Sequence, residues 1–429
     1  MFKLFYILAF IFIMIPDAYS ENKEYYDNLA LDVTSEKFLS NYENYLNIVK
    51  NEALERSCTS FIYDNYENFF NSTDLKNDEN EFQLKVTEYC TFIVNFTETV
   101  TPNSLSLEQK EFIANFMLWT YIYDDALTSL IDKMNSNSLG KIAGRGLVKN
   151  LNNHAFNSWK AGLTGNKNYT RNSLLSDKYA SFKDLAAISF SFGEQLSILI
   201  TEETSPLIEL VSIEFLSFLN GLTEQFSGAP ETESSYFQRH RKTGGIKLFF
   251  NINFLFLANN MDSSFNIKKN ICQILLDPFI TNYYSAGENC IIYSNDASGA
   301  KDIGGDDESL LAIYIGKRIK NLRLSTARDH GQVLAKYLAT ENGFQSMLEL
   351  NKNLRASFLA FNTRLENIRE QSLDLATKTS LAEAVVPWVY GYHLFSPQSS
   401  RYGAAFKAYM IALTGDFDSY QSYLKKFRG

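Results

Sequence analysis

From Ser106 onward the apolar residues fall in helical steps. Phe112, Phe116, Trp119 and Tyr123 are four, three and four positions apart, which puts all of them on one face of a helix. Similar spacing recurs over 174–202, 205–227, 245–260, 264–285, 307–341, 343–373 and 401–427. Asn135 to Gly146 is rich in turn formers and predicts a break between helices. Strand-like alternation is scarce, and no repeat with a fixed period of about 20–50 residues is present. Residues 21–100 are acidic, rich in Asn and Tyr, and interrupted by polar stretches such as Asn71 to Glu81. They predict short helices and loops. No linker rich in Pro, Gly or Ser divides residues 101–429. The pattern predicts an all-α chain, with an amino-terminal helical extension over 21–100 and one helical domain over 101–429.

The first twenty residues, MFKLFYILAFIFIMIPDAYS, carry a different pattern. Lys3 is their one positive charge, an apolar run extends from Leu4 to Ile15, and Pro16 ends it. Ala18 and Ser20 are the small residues that a signal peptidase reads. Residues 1–20 therefore predict a secretory signal peptide cut after Ser20, with an uncleaved anchor as the other reading. The run is shorter than the ~20 residues of a membrane-spanning helix, and no later stretch reaches spanning length without charge. The expected location is the secretory pathway, lumenal or secreted, with no integral membrane span. Three glycosylation sequons, at Asn71, Asn95 and Asn168, agree with that compartment. So do four cysteines, Cys58, Cys90, Cys272 and Cys290. Two disulfides are expected, and the sequence-local pairing is Cys58–Cys90 with Cys272–Cys290; four buried thiols are the alternative.

Composition narrows the function classes. A chain of 429 residues that is 45% apolar and 14% aromatic is not disordered. Only 7 prolines leave room for long uninterrupted helices. The net charge is -9 and no basic stripe stands out, so nucleic acid is not an expected partner. Nucleotide-binding glycine loops, hydrolase elbows and zinc-ligand spacings are absent from the sequence.

Four segments carry candidate chemistry. In the first, Asp124 and Asp125 end an aromatic helical stretch, and Asp124, Thr128 and Asp132 share a face at i, i+4 and i+8. Adjacent carboxylates at the rim of an apolar cavity repel unless cations lie between them, and magnesium, with its oxygen ligands, suits that place. In the second, Asn, Ser and Asp oxygens recur at helical spacing. Two registers fit a metal: Ser294/Ser298/Asp302 and Asn295/Ser298/Asp302. Lys301 stands beside Asp302, in reach of an anion on that metal. In the third, Arg239, Arg241 and Lys242 precede Gly244-Gly245, a composition suited to phosphate recognition at a helix break. In the fourth, Arg401-Tyr402 follows an aromatic stretch that contains Trp388, Gly391 and Phe395-Ser396. Taken alone, the first reads better as a helix end, the second as a cap and the third as a solvated basic turn, and the fourth is weak.

Together and in this order, the four resemble the class I terpene synthases of the bacterial type, some of which are eukaryotic. Asp124-Asp125-Ala126-Leu127-Thr128 resembles the family's Asp-rich motif, with Thr128 where an acid is usual. Ser298, Lys301 and Asp302 match the second metal motif, with the Asn-Asp pair one residue late. Arg241 to Gly245 resembles the diphosphate-sensor segment, and Trp388 to Tyr402 the carboxy-terminal signature. The resemblance covers about residues 100–429.

It implies a single α-helical bundle around a deep apolar cavity. It implies a metal set of Asp124, Asp125, Asn295, Ser298 and Asp302 holding Mg2+, about three ions in the family. Arg241, Lys301, Arg401 and Tyr402 would clamp the diphosphate, with Arg241 as sensor and Gly245 at the helix break. Phe116, Trp119, Tyr123, Phe249, Phe250 and Phe395 are the candidate cavity aromatics, whose faces stabilise a carbocation. The implied activity is that of a lyase: ionisation of farnesyl or geranylgeranyl diphosphate and cyclisation to a sesquiterpene or diterpene. Two alternatives share the features: a prenyl diphosphate synthase, and a secreted isoprenoid-binding protein with a degenerate site. A structural secreted glycoprotein is a third.

Overall fold

In the computed structural model of the chain, the described residues are 51–65, 79–102, 104–134, 138–166, 179–201, 207–225, 242–243, 245–258, 340–342, 344–345, 348 and 416–428. They are almost entirely helical, with no strand among them, and the chain is all-α. The expected signal peptide lies outside the described residues.

Helix α1 (Glu52–Asp64) starts where Asn51 Oδ1 accepts the Leu54 N–H at 3.1 Å, and Glu52 and Glu55 in its first turn complement the helix dipole. Its buried face is Leu54, Cys58 and Ile62. Helix α2 (Glu79–Val100) buries Val86, Cys90, Ile93, Thr97 and Val100, alternating steps of four and three. Both helices pack on α3 and on each other, so the segment expected as an extension shares one core with the residues after 100. Glu98 fastens the three together: its carboxylate accepts from Asn51 Nδ2 at 2.6 Å and from Lys110 Nζ at 3.3 Å.

Helix α3 (Leu107–Met134) opens with a capping box. Ser106 Oγ accepts from Gln109 N at 3.2 Å, and Gln109 Oε1 accepts from Ser106 N at 3.0 Å. The helix runs on to Met134, so Asp124 and Asp125 sit inside it and not at its end as the sequence suggested.

Helix α4 (Ser138–Leu163) begins within the break expected over Asn135 to Gly146. Gly144 lies inside α4 and marks no turn; a Cβ there would meet only the tip of Ile131, Cδ1 at 2.9 Å, which can turn aside.

The long helix expected over 174–202 is two, α5 (Ala180–Ala187) and α6 (Ser189–Leu199). Ile188 separates them, and Ser189 Oγ donates to Ala186 O at 2.9 Å and across to Ala155 O on α4 at 2.6 Å. Then come α7 (Ile208–Gln225), α8 (Ile246–Leu257) and α9 (Phe417–Arg428).

Helix α3 packs against α1, α2, α4, α5, α6 and α8, while α7 packs on α4 and α8. Six neighbours explain why α3 is buried on most sides. Each fully buried Leu, Ile or Phe of this core contributes about 1.5–3 kcal/mol relative to exposure. Phe344, Phe417 and Tyr420 form a smaller aromatic cluster of their own.

One expectation is corrected. Cys58 and Cys90, the pair expected to form a disulfide, are free buried thiols. Burial raises both thiols above their ordinary range, and thiol–disulfide exchange proceeds through the thiolate that burial disfavours. Cys272 and Cys290 lie outside the described residues.

Candidate functional site

Between Phe116 and Ile131, the α3 residues that are not buried are Tyr121, Asp124, Asp125, Thr128 and Ser129. Their spacing puts them on one face. This is a polar window in an otherwise buried stretch of the helix, and two carboxylates and three hydroxyls stand in it. Asp132 continues the series at i+8 along α3. On the α2 side, the Tyr89 hydroxyl donates a hydrogen bond to Asp125 Oδ2. Phe92, also on α2, meets the Tyr121 ring edge-on at 5.3 Å.

The opposite face of α3 is aromatic. Trp119 stacks on Phe116 at 5.8 Å and on Tyr123 at 4.9 Å. Phe116 also meets Trp159, Phe192, Phe215 and Phe249 at 4.8–5.6 Å between ring centroids. Trp119 Nε1 donates to Leu185 O at 2.9 Å. At 100° per residue the aromatic stripe and the acidic window lie nearly diametrically across the helix. The structure therefore brings Phe116, Trp119 and Tyr123 together in the packed core and not beside the carboxylates. Phe249 and Phe250, on α8, are buried as well.

Behind the acidic pair a buried polar network fixes the helix. The Tyr123 hydroxyl donates to Asn152 Oδ1 at 2.9 Å. Asn152 Nδ2 donates to Leu219 O at 2.7 Å and to Thr223 Oγ1 at 3.0 Å. One amide thus joins α3, α4 and α7. Burial pushes the Tyr123 phenol well above its ordinary value, so it stays a donor.

The carboxy-terminal part of α7 receives the basic segment. Glu224 Oε1 takes Lys242 Nζ at 2.6 Å. A Cβ on Gly221 would lie 2.6 Å from Lys242 Cβ and 2.9 Å from Thr243 N, so only a glycine admits that backbone. Gly245 then starts α8 with φ 63 and ψ -4, a left-handed residue at the helix break the sequence predicts there. Sequence reasoning missed Tyr89, Tyr121, Asn152, Gly221 and Glu224. Their signal is tertiary, since each acts on a residue of another element.

Arg241, Ser294, Asn295, Ser298, Lys301, Asp302, Phe395, Arg401 and Tyr402 lie outside the described residues, as do the sequons at Asn71 and Asn168. The third sequon falls inside α2: Asn95 is half-buried and Thr97 wholly buried. In the folded chain that sequon is closed to a modifying enzyme.

Among the described residues no three His, Cys, Asp or Glu side chains gather as a preformed metal cage. Asp124, Asp125 and Thr128 are nonetheless the hard oxygen donors magnesium takes, and that ion needs few protein ligands because waters and phosphates complete its shell. No described helix is long and apolar enough to cross a membrane.

No family model matches the chain, and no curated protein matches it. Among solved structures, it is similar to a mutant of the SVS_A2 protein from ancestral sequence reconstruction. The TM-score is 0.45 and the identity 11%, over 80% of this chain and 82% of that one.

Proposed function

We propose that the chain is a magnesium-dependent class I terpene synthase. It ionises an allylic prenyl diphosphate, farnesyl or geranylgeranyl diphosphate, and cyclises the carbocation with release of diphosphate. The observation that carries this reading is the polar window of α3, with Asp124, Asp125 and Thr128 on the half-buried face of a stretch buried on its other sides. The order of the four sequence motifs supports it.

On this reading Asp124, Asp125, Asn295, Ser298 and Asp302 would hold magnesium. Bound magnesium supplies the Lewis acid and template that make diphosphate a leaving group. Lys242 is already engaged by Glu224, so contact with the diphosphate falls to Arg241, Lys301, Arg401 and Tyr402. Gly245 turns the chain from the basic segment into α8, whose first N–H groups favour an anion. The Tyr123–Asn152 network holds the acidic turn in register.

The test uses purified protein of residues 21–429. It is incubated with geranyl, farnesyl and geranylgeranyl diphosphates, with magnesium or with a chelator, and hydrocarbons are analysed by gas chromatography–mass spectrometry. A magnesium-dependent cyclic product is expected from one substrate. Neither hydrocarbon nor released diphosphate, in a sample with intact helical circular dichroism, overturns the reading.

A further inference from the structure

We infer that Tyr89 is a positioning residue for Asp125; this rests on the reading of Asp125 as a magnesium ligand. Its hydroxyl donates to Asp125 Oδ2 across 36 positions of sequence, from α2 to the polar window of α3. The contact is built from both sides. On α2, the flanking residues Val86, Cys90 and Ile93 are buried, which fixes the rotation of the helix about its axis and the place of the half-buried Tyr89 between them. Glu98, held by Asn51 and by Lys110, fixes α2 along α3. The phenol therefore approaches Asp125 from a scaffold that cannot slide.

The consequence is chemical. Two adjacent carboxylates on one helical turn repel each other, and a free aspartate turns about its side-chain torsions. A phenol donor on Oδ2 holds the Asp125 carboxylate in one orientation and leaves Oδ1 as its oxygen for a cation. Hydrogen-bond partners behind metal ligands act in this way, and losing one weakens metal affinity by about 10-fold or more. Tyr89 touches neither substrate nor metal on this account. It acts through Asp125.

The experiment replaces one oxygen. Tyr89→Phe keeps the ring and its packing. Magnesium binding is measured by calorimetry on the folded full-length variant saturated with inorganic diphosphate, alongside the magnesium concentration that gives half-maximal turnover. The magnesium Kd and that half-maximal concentration are both expected to rise about 10-fold, with the farnesyl or geranylgeranyl diphosphate KM unchanged at saturating magnesium. In an Asp125→Asn background, Tyr89→Phe is expected to leave the residual magnesium Kd unchanged. An unchanged magnesium response in Tyr89→Phe, while Asp125→Asn destroys it, overturns the inference and leaves the proposed function standing. An equal effect of Tyr89→Phe with and without Asp125 also overturns it, because the hydroxyl would then act elsewhere. Wild-type magnesium binding and turnover in Asp125→Asn instead sinks the ligand reading on which the inference rests.

Discussion

Gly162 of α4 lies backbone to backbone against Gly193 of α6. A Cβ on Gly162 would sit 2.1 Å from Phe190 O, and one on Gly193 would sit 2.2 Å from Trp159 O. Neither obstacle is a flexible side-chain tip, so neither can step aside. Alanine at either position should cost about 2–3 kcal/mol of overpacking. That outweighs the ~1 kcal/mol by which alanine is the better helix former. Gly146, on the same helix, faces open space, and Gly146→Ala should stabilise by up to ~1 kcal/mol. Urea midpoints of the three variants check this. A Gly193→Ala protein as stable as the parent would show that α4 and α6 are not in this contact.

The amide of Asn152 has three partners on two neighbouring helices. Asn152→Leu removes all three and strands the Tyr123 hydroxyl in the core. A loss of about 2–4 kcal/mol is expected, since a buried unpartnered donor costs its desolvation and the hydrogen bonds are lost as well. Tyr123→Phe deletes only one bond and should cost about 1 kcal/mol. Thermal unfolding of the two variants and their double mutant separates the terms. Additive losses would mean that the two side chains are not coupled.

Gly221 admits the backbone of Lys242 and Thr243 onto α7. Gly221→Ala should push that segment off and lower turnover by about 10-fold or more, through misplacement of the residues beside it. Glu224→Gln breaks only a half-exposed ion pair, and its stability effect should stay below about 1 kcal/mol. Turnover and circular dichroism are measured on both. Full activity in Gly221→Ala would detach the basic segment from the proposed chemistry.

The two buried thiols make stability fall in alkali. Burial, partly offset by the Thr59 hydroxyl, pushes Cys90 up from 9.0 to about 11, and burial with the nearby Cys90 raises Cys58 further. A group whose pKa is higher in the folded chain favours folding below its unfolded pKa. That contribution is lost as pH rises, because the unfolded thiol ionises first. The free energy of unfolding should therefore decline from about pH 9 to 11. The buried Tyr123 phenol adds to the decline. Denaturant titrations of Cys58→Ala/Cys90→Ala should start lower and fall less steeply. Rapid alkylation of the native thiols at pH 8 would contradict their burial.

Helix existence was legible in the apolar period. The stretches 205–227 and 245–260 are α7 and α8 to within a few residues, because Val211, Phe215, Phe218 and Leu222 need no distant partner to declare a face. The break at Ile188 was not legible, since Ser189 is answered by the Ala155 carbonyl 34 positions away. Gly144 and Gly146 read as turn residues because glycine is a common turn former, yet both lie inside α4. Asp124 and Asp125 were found from their adjacency. Their hydrogen-bonded neighbour Tyr89 was not, because it belongs to a helix whose pairing with α3 is a tertiary fact. The opposition of the aromatic stripe and the acidic pair was present in the spacing all along.

Among the described residues, the principal core cluster runs from Leu54 to Ala258. A chain made from its amino terminus thus has every one of those side chains in hand before residue 259 is added. Its contacts span helices near and far in sequence, as where Phe112 of α3 meets Phe256 of α8 at 5.9 Å. Asp124 and Asp125 belong to a segment synthesised well before Asn295, Ser298 and Asp302. On the proposed reading, the metal site takes its ligands from segments made at different times.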